Sequence, residues 1–98
     1  MAVALIVEFA IKPGKHADFD RIIREHAAKT KQEEPGCERF DVLQPTSKTG
    51  KDESKICLVE VYKDQAAFKA HGENPRLAKV REAYADLITD RKITICEM

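Results

Sequence analysis

The sequence contains no tryptophan, few aromatic residues of any kind and only three cysteines. These cysteines, Cys37, Cys57 and Cys96, are odd in number and lack C-x-x-C spacing, which argues against a disulfide framework or a zinc knuckle. We interpret each as a small apolar residue on a strand. No apolar run approaches the roughly 18 residues that a membrane span requires. Residues 1–7 are apolar but lack the basic residues that begin a signal peptide, so we predict a strand there and not a signal peptide. We therefore expect a cytoplasmic protein.

Neither sign of charge is in excess, because 17 basic and 17 acidic side chains give a formal net charge of zero. Nucleic acids and anionic membranes attract basic surfaces, so the balance argues against both as partners. The 98 residues suffice for one domain, which we place over residues 1–98. A domain this small buries a thin core, and formation of a homodimer would bury more apolar surface.

Apolar periodicity and turn residues predict an α+β fold. The predicted elements, in order, are a strand over 2–11, a helix over 15–33, strands over 37–44 and 55–62, a helix over 65–71, a helix opening at Asn74-Pro75 and a strand over 89–97. Residues 45–54 are predicted to form a loop. This β-α-β-β-α-α-β order is typical of a ferredoxin-like split βαβ domain, with an antiparallel sheet and helices on one face.

The strand over 55–62 carries two groups capable of chemistry, Glu60 and Tyr62. Alternation places both on one face with Ile56 and Leu58, and places the small apolar residues of the strand on the other. We expect the small apolar face to pack under the helices. The face with Glu60 and Tyr62 would then open to a pocket or to a second copy of the chain, together with Ala4, Ile6, Leu58 and Phe40 or Leu43.

Two histidines lie on predicted helices. His26 falls within the apolar stripe of the long helix, where it could act in the site or be a hydrogen-bonded core residue. His71 ends the short helix that Asp64 is predicted to cap, and could equally be a cation favoured by the helix dipole. Likewise, Glu60 could form an ion pair with a nearby cation, and Tyr62 could be a core or interface aromatic.

Three segments carry a resemblance to a known family. They are the turn over residues 33–42, the Glu60-x-Tyr62 strand followed by Ala66, Phe68 and His71, and the helix opening at Asn74-Pro75. In these segments the chain resembles the antibiotic biosynthesis monooxygenase (ABM) family of dimeric α+β barrels. That family includes quinol monooxygenases that use no metal or flavin, and an isomerase of the phosphorylated autoinducer-2 signal, which the run over residues 39–44 also resembles.

The resemblance implies that Glu60 and His71 face a pocket, with His71 as the main polar contact to substrate and Tyr62 beside it. Two positions depart from the family pattern: His26 stands where asparagine is common, and Arg76 where a second histidine is common. The absence of tryptophan also departs from the haem-degrading branch. These departures affect the identity of the substrate more than the fold.

We therefore predict a cofactor-independent monooxygenase of a quinol or polyphenol, without metal. Such chemistry requires a base that titrates near neutrality, a donor for the developing oxyanion and a dry pocket. The predicted catalytic residues are His71, Glu60 and His26, and the predicted substrate-binding residues are Tyr62, Phe68, Phe40 and Arg76. The same groups could isomerise a phosphorylated dicarbonyl, with Arg76 and the lysines near the pocket mouth holding the phosphate. A dimer that binds a small molecule without turnover also stays open.

Overall fold

The computed structural model describes all residues from 1 to 98 and has a four-stranded antiparallel sheet covered on one face by helices. The strands are β1 (Val3–Ile11), β2 (Cys37–Leu43), β3 (Thr46–Ser47), β4 (Gly50–Lys51), β5 (Lys55–Tyr62) and β6 (Ile88–Glu97). The helices are α1 (His16–Glu33), α2 (Gln65–Glu73) and α3 (Pro75–Tyr84), and a 3₁₀ turn over Ala85–Leu87 leads into β6. The sheet order is β2-β5-β1-β6. The predicted fold class is confirmed. No helix is both long and apolar enough to cross a membrane.

The segment predicted as a loop, residues 45–54, instead contains the short hairpin of β3 and β4. Gly50 adopts a positive φ of 120° there, a conformation that glycine tolerates without strain. The Gln44 side-chain amide donates to the carbonyl oxygens of Pro45 and Asp52, at 2.9 and 2.7 Å. These bonds tie the base of the hairpin to the end of β2.

Both predicted helix caps near the site are confirmed. The Asp64 carboxylate accepts a hydrogen bond from the Ala67 amide at 2.8 Å and begins α2. Asn74 ends α2, and its side chain accepts from the Arg76 amide at 2.9 Å to begin α3. Pro75 occupies the first turn, where its missing N–H costs no intrahelical bond. The sharp joint between α2 and α3 brings the end of one helix and the start of the next to the same place.

The prediction of which face of β5 packs under the helices was wrong. Ile56, Leu58, Glu60 and Tyr62 are all buried, whereas the small residues between them are only half-buried. In the sheet, Tyr62 pairs with Val3 and Glu60 with Leu5, so β5 and β1 direct their larger side chains to the helix side. Larger side chains fill the thick layer between sheet and helices, and this leaves the smaller ones on the open face.

Three residues predicted for the open face therefore belong to the helix-covered core: Phe40, Leu58 and Tyr62. Ala4, Ile6 and Leu43 do lie on the open face, where Ile6 and Leu43 are 43% and 46% exposed. At the opposite edge of the sheet, β6 is largely exposed. Its Ile93 and Ile95 lie beside Val7 and Leu5 on the helix side of the sheet, yet remain 39% and 59% exposed.

Candidate functional site

A cavity of about 250 Å³ lies between the sheet and the three helices and opens toward β6. Most of its wall is apolar: Leu5, Val7, Phe9, Ile23, Phe40, Leu58, Phe68, Leu77, Val80, Tyr84, Ile93 and Ile95. Its imidazole and charged side chains are His26, Glu60, His71, Arg81 and Arg91. Such a mainly apolar hollow with a few convergent polar groups has the character of a small-molecule site.

Glu60 projects from the sheet into this cavity and is 4% exposed. The Tyr62 hydroxyl donates a hydrogen bond to Glu60 Oε1 at 2.6 Å. Burial raises the pKa of Glu60 above its ordinary value, and the bond from Tyr62 partly opposes that shift. Burial and the adjacent carboxylate also raise the pKa of the Tyr62 phenol. Tyr62 thus fixes the position of the Glu60 side chain through this hydrogen bond and remains in its phenol form.

His71 is held by Glu34, a residue 37 positions earlier in the chain. Its Nδ1 lies 2.9 Å from Glu34 Oε1 and 3.2 Å from Oε2, so Nδ1–H donates to the carboxylate. In the neutral imidazole Nε2 is then a free acceptor. Nε2 lies 3.8 Å from Glu60 Oε1, too far for a hydrogen bond. Every side-chain nitrogen and oxygen that is fully buried has a hydrogen-bond partner. His71 Nε2 has none, so it is not fully buried and is accessible within the site.

His26 is held by Arg76 in the opposite tautomer. Arg76 Nη1 lies 2.9 Å from His26 Nδ1, and a guanidinium can only donate, so Nδ1 is the acceptor and Nε2 carries the hydrogen. Burial, followed by the Arg76 charge, lowers the pKa of His26 from 6.5 to about 4. His26 is therefore a neutral hydrogen-bond donor at physiological pH. Its ring lies 5.8 Å from that of His71, between ring centroids.

Arg76 links the two histidines, directly to His26 and through Glu34 to His71. Besides His26, its guanidinium donates to Thr30 Oγ1 at 3.0 Å and to Glu34 Oε2 at 2.9 Å. The Arg76 Nε also lies 3.3 Å from Glu33 Oε2. These groups occupy the guanidinium, and Arg76 does not line the cavity. Arg76 therefore lies behind the histidines and not in the cavity, where the predicted contact with substrate would require it.

Of the predicted site residues, five line the cavity together: His26, Phe40, Glu60, Phe68 and His71. Tyr62 and Arg76 lie one layer behind them, so Tyr62, like Arg76, is not placed to bind substrate directly. The Tyr62 ring packs at 4.9 Å from His71 and 5.9 Å from Phe68, between centroids.

Three residues of the site were missed in the sequence: Glu34, Arg81 and Arg91. The sequence does contain a signal for the two arginines. Arg81 interrupts the apolar stripe of α3 between Leu77 and Tyr84, and Arg91 shares the face of β6 that carries Ile93 and Ile95. No local pattern marks Glu34 as the partner of His71. No group of three or more His, Cys, Asp or Glu side chains is arranged to hold a metal ion.

Comparisons with known proteins agree with this architecture. A family model described as antibiotic biosynthesis monooxygenase matches residues 2–83. A Nitrosomonas europaea structure assigned to these monooxygenases is 30% identical over 99% of this chain and 89% of that chain, with a TM-score of 0.85.

Two more distant structures share the fold. A Caulobacter crescentus protein with the same assignment is 24% identical over 99% of this chain and 89% of that chain, with a TM-score of 0.88. A mutant of SnoaB, described as a cofactor-independent oxygenase from Streptomyces nogalater, is 20% identical over 99% of this chain and 92% of that chain, with a TM-score of 0.82. A search of curated proteins finds no match. On the family model and the similarity to the Nitrosomonas protein, the chain belongs to the antibiotic biosynthesis monooxygenase family.

Proposed function

We propose that this protein is a cofactor-independent monooxygenase that oxidises a quinol or polyphenol. The observation that carries the proposal is His71 Nε2, a free imidazole acceptor whose tautomer Glu34 holds, in a mainly apolar cavity. Membership of the family supports the reaction class, as does the description of SnoaB as a cofactor-independent oxygenase.

The first step of this mechanism is removal of a phenolic proton by His71 Nε2. A base pre-set in the correct tautomer accepts the proton without ring rotation, and the Glu34 carboxylate stabilises the imidazolium that forms. The neutral His26 Nε2–H is available to donate to the phenolate oxygen. A histidine kept neutral stabilises the oxyanion without handing over its proton, because imidazole is a much weaker acid than imidazolium.

The phenolate then transfers one electron to O₂, and the resulting radical pair combines at a ring carbon ortho or para to the phenolic oxygen. The peroxide oxygen takes back the proton held by His71, giving a hydroperoxide. Removal of the ring C–H proton by His71 breaks the O–O bond, leaves a carbonyl and releases water. One atom of O₂ enters the ring and the other becomes water, and the substrate supplies all the electrons.

Glu60 has the role of proton donor in that last step. Burial raises the pKa of Glu60, a shift in the direction that a general acid requires, and its Oε1 lies 3.8 Å from His71 Nε2. The departing hydroxide takes the Glu60 proton, while His71 takes the C–H proton. Nε2 and Oε1 are 3.8 Å apart, so a water molecule, such as the one just released, carries the proton from His71 to Glu60; this restores both groups, and the protein ends the cycle unchanged.

The alternative isomerase activity relied on Arg76 and lysines near the pocket mouth to bind a phosphate. In the structure Arg76 is bonded to His26, Thr30 and Glu34 and lies outside the cavity, and no lysine lines the cavity, so the predicted phosphate contacts are absent. The oxygenase remains the better-supported function.

The experiment is oxygen uptake with 1,4-dihydroxynaphthalene, corrected for uncatalysed oxidation. We expect wild-type protein to consume one O₂ per hydroxynaphthoquinone formed, and His71→Ala to lower the rate by about 10²-fold or more, because it removes the general base. The matched control is His16→Ala, since His16 contacts Gln44 and does not line the cavity. Equal rates for His71→Ala and wild type would contradict the mechanism, and no uptake by wild type with any quinol tested would contradict the function.

We also propose that the open face of the sheet joins a second copy of the chain. It carries Ala4, Ile6, Leu43, Val59 and Val61, which the helices leave uncovered. A chain of 98 residues buries more apolar surface when such a face packs against a second copy. We expect a dimer mass in light scattering and a monomer for Ile6→Glu. A wild-type monomer at micromolar concentration would contradict this.

A further inference from the structure

The cavity contains two imidazoles, and an imidazole of either residue has the chemistry of a base. His26 and His71 are 4% and 5% exposed, and their ring centroids lie 5.8 Å apart. A neutral imidazole accepts at one nitrogen and donates at the other, so the partner of each ring decides which nitrogen is the acceptor. The two rings have opposite partners, a carboxylate for His71 and a guanidinium for His26.

The guanidinium of Arg76 occupies the single acceptor nitrogen of His26. Its Nη1 lies 2.9 Å from His26 Nδ1, which leaves Nε2–H as a donor without a protein partner. A proton added to this ring must enter at Nδ1. The new N–H would then point at another donor, and the imidazolium would lie beside a cation. His26 is therefore blocked as a base, although it lines the cavity.

Contacts on all three of its nitrogens hold the Arg76 guanidinium against His26. Nη1 also donates to Thr30 Oγ1 at 3.0 Å, and Nη2 donates to Glu34 Oε2 at 2.9 Å. Nε lies 3.3 Å from Glu33 Oε2. These partners follow His26 at helical spacing and share its side of α1, so one guanidinium spans about two turns of that helix.

The charges around the two rings also differ. The only carboxylate oxygens within 4.0 Å of the cavity histidines lie beside His71. The charged and titratable groups that surround His26 are Glu25 and Lys29 on α1, Glu60 on β5, His71 on α2, and Arg76, Lys79 and Arg81 on α3. Burial lowers the pKa of His26, and the charge of Arg76 is the next largest cause, ahead of His71 and Arg81. Arg76 is also the only one of these groups that is hydrogen-bonded to His26.

We propose that Arg76 assigns the roles of the two histidines: it excludes His26 as a base and leaves His71 to take the proton. Arg76 is a positioning residue, since it does not line the cavity. The part of this inference that concerns turnover rests on the proposed function, whereas the state of the two rings does not. The cavity then presents one acceptor and one donor in fixed places, as proton removal followed by stabilisation of an oxyanion requires.

The first test observes the two rings directly and needs no turnover. Two-bond ¹H–¹⁵N spectra of histidine rings distinguish a protonated from an unprotonated nitrogen, and His26→Gln and His71→Ala assign the signals. In wild type at pH 7.5 we expect His26 to be unprotonated at Nδ1 and His71 to be unprotonated at Nε2. Two rings in the same tautomer would overturn the inference, as would a wild-type His26 that titrates near its ordinary pKa of 6.5.

Arg76→Gln removes the cation and supplies an amide oxygen that accepts from Nδ1–H. We expect the titration midpoint of His26 to rise by about one pH unit, because burial, the larger cause of the shift, remains. The matched control is Lys79→Gln, which removes a positive charge from the same helix and the same groove beside α1 but not a hydrogen bond to His26. Lys79→Gln should leave the midpoint unchanged, and an unchanged midpoint in Arg76→Gln would overturn the inference.

The second test measures oxygen uptake for Arg76→Gln in two backgrounds. With His71 present, we expect the rate to fall by about tenfold, because His26 is no longer a fixed donor. In His71→Ala, we expect Arg76→Gln to raise the remaining rate by about tenfold, because a His26 ring with its proton on Nδ1 presents Nε2 as a replacement base. A residue with a merely structural role would lower the rate in both backgrounds, and that result would overturn the inference.

Failure of the proposed function would look different. No variant would then consume oxygen, while the tautomers in wild type and the shifted midpoint in Arg76→Gln would remain as expected. Oxygen uptake by wild type, together with a His26 ring that Arg76→Gln leaves unchanged, would leave the oxygenase standing and overturn the role of Arg76.

Discussion

The pairing of Arg76 with His26 predicts a specific loss of stability in acid. His26 is 4% exposed, its Nδ1 accepts from Arg76 at 2.9 Å, and its pKa in the folded protein is lowered to about 4. In the unfolded chain the pKa returns to 6.5. Between these values the unfolded state binds the additional proton, so the free energy of unfolding falls as the pH falls from 6.5 to 4.

The magnitude follows from the size of the pKa change. A difference of about 2.5 pKa units at about 1.36 kcal/mol each gives a loss of about 3 kcal/mol from His26 alone. His26→Gln keeps an acceptor for Arg76 and cannot titrate. At pH 7.5 we expect the variant to be about 1–2 kcal/mol less stable than wild type, through lost packing against Phe40. Near pH 4 the order should reverse.

Urea unfolding at intervals between pH 7.5 and 4 measures this difference. Ile23→Val serves as the control, because Ile23 lies in the same helix stripe and its truncation should cost about 1 kcal/mol at every pH. Wild type and Ile23→Val should lose stability in parallel, and His26→Gln should lose about 3 kcal/mol less. Parallel curves for all three proteins would refute the assignment of His26 as a neutral donor held by Arg76.

Three further outcomes follow from the same contacts. Glu34→Gln should lower the rate of oxygen uptake by about 10²-fold with little change in KM, because the tautomer of His71 is no longer held. An unchanged rate would rule out Glu34 as the residue that positions His71. Arg76→Met should lower the free energy of unfolding by about 2–3 kcal/mol in urea titrations at pH 7.5, because the Glu34 carboxylate loses its guanidinium partner. A loss below about 0.5 kcal/mol would contradict a stabilising pair between Arg76 and Glu34. Gly36→Ala should cost about 1–3 kcal/mol by thermal melting, since the added Cβ would clash with the Cβ of Ala67, whereas Gly72→Ala meets no atom within 4 Å and should cost nothing. Equal melting temperatures for the two variants would contradict a clash with α2.

Local rules account for the features of the fold that the sequence predicted correctly. Asp64 and Asn74 cap helices through bonds to backbone amides two or three residues away, and such short-range contacts can be recognised in the sequence. The twofold repeat of a strand likewise determined that Glu60 and Tyr62 share a face. The element order then limited the fold to a split βαβ arrangement.

Only the tertiary structure decided which face of the sheet the helices cover and which side chains complete the site. Alternation groups residues into two faces but does not say which face is buried, because that depends on the volume that β1, β5 and the helices fill together. Glu34 meets His71 across 37 residues, and Arg76 meets His26 across 50. Contacts at that range are set by how α1 lies against the joint between α2 and α3, and this packing leaves no periodic trace in the sequence.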